Sequence, residues 1–187
     1  MGWLKSVLGS SEPAKPNLDQ LFSLPSAVIS LSATLGFVPT GTGSVAFRAP
    51  EGKAFADVEQ EVLQLVGADT KVSTQSDEYG FTWVVVEDDS VDAAGLVTAL
   101  HAVNSSLADG GFGSVLLCSL VAMRDPNGRK LGLVYLFKRG TFYPFAPLTG
   151  QTRDTILELQ VRDALGSDLP VEPDLSRWFA VWGAPGL

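Results

Sequence analysis

Cys118 and His101 are the single cysteine and the single histidine of the chain, so any thiolate–imidazole chemistry must use that pair. Cys118 lies in the apolar run LLCSL, which reads as mid-strand. A thiol there is normally a buried, inert filler rather than an activated nucleophile. His101 flanks the apolar stripe of a predicted helix. One cysteine and one histidine also leave too few ligands for a typical zinc site. Carboxylates cluster at Asp77-Glu78 and at Glu87-Asp88-Asp89. Neither spacing builds a calcium loop, and solvated turns and a helix cap account for both. Residues Gly41 to Ala46 match G-x-G-x-x-A, but a dinucleotide fingerprint follows a strand and opens a helix. Here the glycines lead into a strand and read as a hairpin turn. The residues thus point to no catalytic group, no cofactor and no metal site.

The aromatic residues supply a different chemistry. Phe142, Tyr143 and Phe145 fall in KRGTFYPFAPL (138–148), which reads as a proline-bounded loop, and Trp178, Phe179 and Trp182 crowd RWFAVWGAPGL (177–187). Exposed, these six side chains would form a protein-binding patch; buried, they would staple the tail to a sheet. Burial of aromatics favours stapling, and the six remain the candidate protein-binding residues.

These groups need a scaffold, and 187 residues, 45% apolar and 18% charged, provide one globular domain with a sizeable core. Thirteen basic against 21 acidic residues give a net charge of −8, which disfavours nucleic acid and the bulk surface of an anionic membrane. A lone cysteine allows no intrachain disulfide and suits a reducing compartment. The first 25 residues lack the apolar core of a secretion signal. The longest apolar runs, near 115–123 and 131–137, fall short of the ~18 residues a membrane span needs. A cytoplasmic protein is expected.

The division expected is a segment and linker over 1–16, one α+β domain over 17–168, and an aromatic tail over 169–187 docked on that domain. In the first segment Trp3, Leu4, Val7 and Leu8 share one side of a short helix, and Met1-Gly2 with Ser6 matches the loose myristoylation pattern. So short a helix is marginal alone, since ~12–15 residues are needed. It must dock on this protein, a partner or a membrane, and its single Lys5 favours protein over anionic lipid.

Asn17 to Leu24 predicts a short helix ended by Pro25. Ala27–Ser32 reads as a strand, Pro39–Ser44 as a turn and Val45–Ala49 as a second strand. Residues 51–67 carry Phe55, Val58, Val62, Leu65 and Val66 on one helical face. Lys71–Ser76 and Tyr79–Glu87 predict a hairpin. Ala93, Leu96, Leu100, Val103 and Leu107 form a helical stripe, capped by the acidic run 87–90. Ser114–Arg124 and Leu131–Lys138 flank Asn127-Gly128, a strong hairpin signal. Residues 153–165 predict a last helix with a Glu158–Arg162 pair. The fold expected is therefore α+β, an antiparallel sheet built from successive ββα units with helices on one face. From residue 51 the order αββαββα also resembles the secretion-chaperone-like fold.

The stretches NLDQLFSLPSA (17–27), GFVPTGTGSVAF (36–47), LHAVNSSL (100–107), LVYLFKRGTFYPFAPL (133–148) and LPVEPDLSRWFAVWGAPGL (169–187) resemble the PspA-associated protein family, PspAB, of actinobacteria and some archaea. The resemblance implies a cytosolic, non-enzymatic accessory protein of the PspA envelope-stress (phage shock) system. Its implied partner is PspA, a membrane-binding coiled coil, with an HtpX-like membrane protease as a further associate. Contact with the inner face of the membrane would run through such a partner. Two rival readings remain: an enzyme using Cys118 or the carboxylates, and a chaperone-like binder of unfolded segments.

Overall fold

The computed structural model describes residues 16–67, 70–90 and 92–187. The amphipathic segment carrying Trp3, Leu4, Val7 and Leu8 lies outside the described residues. Leu18–Ser23 forms a 3-10 helix that runs directly into α1, Leu24–Leu35. Pro25 therefore opens a helix rather than ending one. In the first turn its missing N–H deprives the helix of no hydrogen bond.

Ala27–Ser32, expected as a strand, belongs to α1. Its Val/Ile/Leu alternation with serine mimics a two-residue period. The buried positions, Leu24, Ala27, Val28 and Leu31, follow helical spacing, and Ile29 is left 70% exposed. By length and composition alone Leu18–Leu35, with a mean hydropathy of 1.2, could cross a membrane, a longer apolar stretch than the runs singled out from the sequence. In the fold its Leu21, Leu24 and Leu31 are core residues.

β1 is a single strand, Val38–Phe47, that absorbs the turn expected at Pro39–Ser44. Gly41, at φ 82°, and an irregular register between Pro39 and Gly43 replace that turn by a bulge within the strand. Gly43 is required for another reason: a Cβ there would stand 2.6 Å from Leu96 Cδ2. The glycine lets the helix above lie directly on the strand.

The helix α2 (Lys53–Val66), the strands β2 (Lys71–Ser76) and β3 (Thr82–Glu87), and the helix α3 (Ala93–Leu107) follow. The stripe of α3 faces inward as expected. Its cap is Asp92, whose carboxylate accepts from the amides of Ala94 and Gly95, not the acidic run before it. On α2, Leu65 is exposed while Phe55, Val62 and Val66 are buried.

β4 (Leu116–Arg124) and β5 (Lys130–Leu136) form the hairpin signalled by Asn127-Gly128. β6 (Thr141–Phe145) is a strand where a loop was expected. A small ribbon, β7 (Pro147–Leu148) with β8 (Thr152–Arg153), leads to α4, Thr155–Leu165.

The six main strands lie in the order β2-β3-β1-β4-β5-β6, every pairing antiparallel. This is the expected α+β architecture. The element count differs: the first ββα unit is αβα, and β6 adds a strand before α4. The sheet of the αββαββα segment is also incomplete without β1, which separates β3 from β4.

Side chains alternate across the sheet. Val45, Phe47, Val84, Val86 and Val121 meet the helices, whereas Ala46, Trp83, Cys118, Leu120 and Val134 point the other way. Among the described residues no α-helix covers that second face. The C-terminal residues cover it, with Trp178 and Ala184 buried against it. Both faces therefore carry buried side chains, which explains why the strands read as near-continuous apolar runs.

Candidate functional site

The tail begins by adding itself to the free edge of β6. The Phe142 amide donates to Pro170 O at 2.9 Å, and the Glu172 amide donates to Phe142 O at 2.7 Å. Phe142 thus uses its outward-facing backbone for the tail, leaving the other side of β6 for β5. Two residues on, the nitrogen of Pro144 faces the same outer edge, where proline deprives the sheet of no bond.

Buried charges then fix the tail. Glu172 is fully buried and accepts from Arg139 Nε at 2.5 Å, Arg139 Nη2 at 3.1 Å and Thr141 Oγ1 at 2.7 Å. Burial alone would raise its carboxyl. The hydrogen bonds from Arg139, Thr141 and the Asp174 amide outweigh that and hold it below the ordinary glutamate value. Arg153 forms a second clasp. Its Nε reaches Glu158 Oε1 at 2.8 Å, its Nη1 donates to Trp178 O at 2.6 Å, and its guanidinium lies over the Phe145 ring at 5.1 Å. Glu158 therefore pairs with Arg153 and not with Arg162, whose partner is Asp163.

The six candidate aromatics separate into two groups. Phe142, Tyr143, Phe145 and Trp178 are buried and act as staples. Phe142 packs on Tyr135 in the helix-side core, with centroids 5.1 Å apart. Tyr143 lies almost parallel to Trp178, with an interplanar angle of 22° and centroids 6.2 Å apart, and its hydroxyl donates to Phe179 O at 2.9 Å. The Trp178 indole donates to Glu172 O at 2.9 Å. Trp182 is half-buried and meets the edge of Phe145. Of the six only Phe179, at 60%, is broadly exposed; Leu175, four residues earlier in the tail, is 52% exposed. The proline-bounded loop envisaged for 138–148 is thus an edge strand whose aromatic side chains point inward.

Between tail and sheet lies a pocket of ≈ 360 Å³. Trp83, Cys118 and Tyr143 form its floor, Phe179 and Val181 its roof, and Lys138, Arg139 and Arg177 line it as well. Burial pushes the Cys118 thiol up to about 12 and the Tyr143 phenol well above its ordinary value, so both are neutral at physiological pH. A larger hollow of ≈ 620 Å³ near Trp182 mixes Glu78 and Asp154 with Arg129 and Lys130 and has no single charge character.

The remaining candidate chemistry is dispersed. Cys118 faces the tail side of the sheet, whereas His101 sits on α3 in the helix layer, its ring 4.8 Å from Phe22. The two do not meet. Asp77 accepts from the amides of Tyr79 and Phe81 and from the Trp83 indole, closing the β2–β3 turn. Asp88 accepts from the amide and hydroxyl of Ser90. Among the described residues no three His, Cys, Asp or Glu side chains gather as a metal site. Gly41 and Gly43 lie inside β1, and the next helix, α2, begins only at Lys53.

Sequence reading missed the two clasps. Arg139–Glu172 and Arg153–Glu158 join residues far apart or on different elements, which no local spacing signals. The tail's glycines carried a weaker signal. A Cβ on Gly186, at φ 85°, would stand 2.7 Å from Ala122 Cβ, so the tail must approach the sheet through a bare backbone. The family model PspAB, PspA associated protein B, matches residues 1–186. No curated protein and no solved structure matches the chain.

Proposed function

The chain belongs to the PspA associated protein B family, and from that premise we propose that it is a non-enzymatic accessory protein that binds a PspA-like coiled coil. The family match over residues 1–186 carries this reading. The tail supplies a suitable surface. Phe179 and Leu175 project from a backbone held by Glu172, Arg153 and Trp178, so little ordering is required when a partner docks. The acidic chain, at −8, complements basic stretches on a helical partner and speeds encounter. In this reading the protein works in the cytoplasm within the envelope-stress (phage shock) response. It reaches the inner face of the membrane through its partner, with an HtpX-like protease as a second associate.

The test is a titration of purified PspA-like protein against the full chain and its Phe179→Ala variant. Saturable binding that weakens in the variant supports the reading. Absence of binding, together with general suppression of aggregation of unrelated unfolded proteins, would replace it with a chaperone-like role.

A further inference from the structure

We propose that the pocket beneath Phe179 binds a single-chain fatty-acid carboxylate, its alkyl chain on the Trp83–Cys118–Tyr143 floor and its carboxylate at Lys138 and Arg177. The first support is the distribution of charge. Acids outnumber bases 21 to 13 in the chain, yet no carboxylate lines this pocket and three bases do. Apolar walls with a few convergent polar groups are the usual form of a small-molecule site.

The state of each base narrows the ligand. Arg139 is committed to Glu172. Arg177 pairs with Asp174 at 3.1 Å, both about half exposed, an arrangement of little strength that an incoming anion can share. Among the described residues Lys138 has no ion-pair partner. One uncompensated charge matches a monoanionic head better than a dianionic phosphate. The floor adds no opposing charge, because Cys118 and Tyr143 stay protonated. A volume of ≈ 360 Å³ lies toward the lower end of ligand pockets, about 300–1,000 Å³, and suits one short chain rather than a two-chain lipid. An apolar side chain from a partner protein would fill the floor but leave Lys138 unanswered.

The experiment is calorimetric titration of the full-length chain with decanoate below its micelle concentration, with decan-1-ol as the uncharged chain of equal length. Saturable one-to-one binding of decanoate is expected, weakening with added salt. Both Lys138→Glu and the substitution of decanol for decanoate should weaken binding about tenfold, the scale of one charge-assisted hydrogen bond. Tryptophan emission, to which Trp83 on the pocket floor contributes, should shift as the pocket fills. Lys138 is exposed, and should Lys138→Glu compromise the fold, Lys138→Gln and Arg177→Gln provide the same comparison. Absence of saturable decanoate binding overturns the assignment, as does equal affinity for decanoate and decanol in wild type and variants. A tryptophan emission shift produced by a leucine-rich helical peptide but not by decanoate also overturns it, giving this face to a partner's side chains. None of these measurements involves a PspA-like protein, so the accessory reading stands or falls separately.

Discussion

Glu172 and Arg139 form a two-pronged ion pair, Nε to Oε2 at 2.5 Å and Nη2 to Oε1 at 3.1 Å, and this pair joins the tail to the end of β5 and the start of β6. Glu172 is fully buried, whereas the Arg139 side chain retains 29% of its exposure. Removing one partner of a fully buried pair costs roughly 3–5 kcal/mol. With Arg139 partly in water, Glu172→Ala should cost about 2–3 kcal/mol on the same scale. Urea unfolding followed by tryptophan fluorescence measures this, and an effect below half a kilocalorie would mean that the pair does not hold the tail.

The same carboxylate predicts an acid limit. Its folded pKa lies below its ordinary value, so folding favours the ionised form. The stability it contributes is complete above the unfolded glutamate pKa, about 4.3, and is lost as pH falls through the folded value. Melting temperature against pH should therefore decline more steeply below about 4.3 in wild type than in Glu172→Gln, whose amide does not titrate there. Parallel curves would show that Glu172 is not the group responsible.

Trp178 and Phe179 are adjacent in sequence and opposite in role. Trp178 is buried on Tyr143 and bonded to Glu172 O, so Trp178→Ala should cost roughly 3–5 kcal/mol of stability. Phe179 is 60% exposed, so Phe179→Ala should change stability by no more than about 0.5 kcal/mol while weakening partner binding. Thermal unfolding of the two variants beside a binding titration separates staple from contact. Equal destabilisation by both would remove Phe179 from the proposed surface.

Cys118 should be silent in the folded protein. Burial pushes its thiol up to about 12, and the side chain is only 7% exposed on the pocket floor. Thiolate is the reactive form, so alkylation by iodoacetamide at pH 8 should be slow in the native state and rapid in denaturant. Fast native alkylation would restore the enzymatic alternative that rests on this residue.

Legibility in the sequence followed the range of the interaction involved. The α3 stripe was plain because Leu96, Leu100, Val103 and Leu107 keep helical spacing and all are buried. Asn127-Gly128 marked the β4–β5 turn because Gly128 takes φ 81°, a value few side chains tolerate. α1 was misread because AVISLS alternates like a strand and Pro25 works equally well as terminator or first-turn residue. β6 was hidden by Pro144, since only the sheet order reveals that this strand lies at an edge. The aromatic tail was visible as composition. Which of its rings face inward depends on Arg139, Arg153 and the bare backbone at Gly186, contacts across long sequence separations that no window contains.

Gly43 offers the sharpest test of the sheet–helix packing. It lies in β1 beneath α3, and an added Cβ would come within 2.6 Å of Leu96 Cδ2 and 3.1 Å of Leu100 Cδ1. Both leucines are fully buried, so neither can swing aside without displacing its own neighbours. Gly43→Val should therefore destabilise by about 1–3 kcal/mol through overpacking, although valine favours strands intrinsically. The double variant Gly43→Val with Leu96→Ala creates space for the new side chain and should recover part of the loss, as expected for residues in direct contact. Chemical denaturation of the two single variants and the pair gives the coupling directly. Strict additivity would mean that α3 moves away from β1 as a unit, and that the glycine is not what sets their separation.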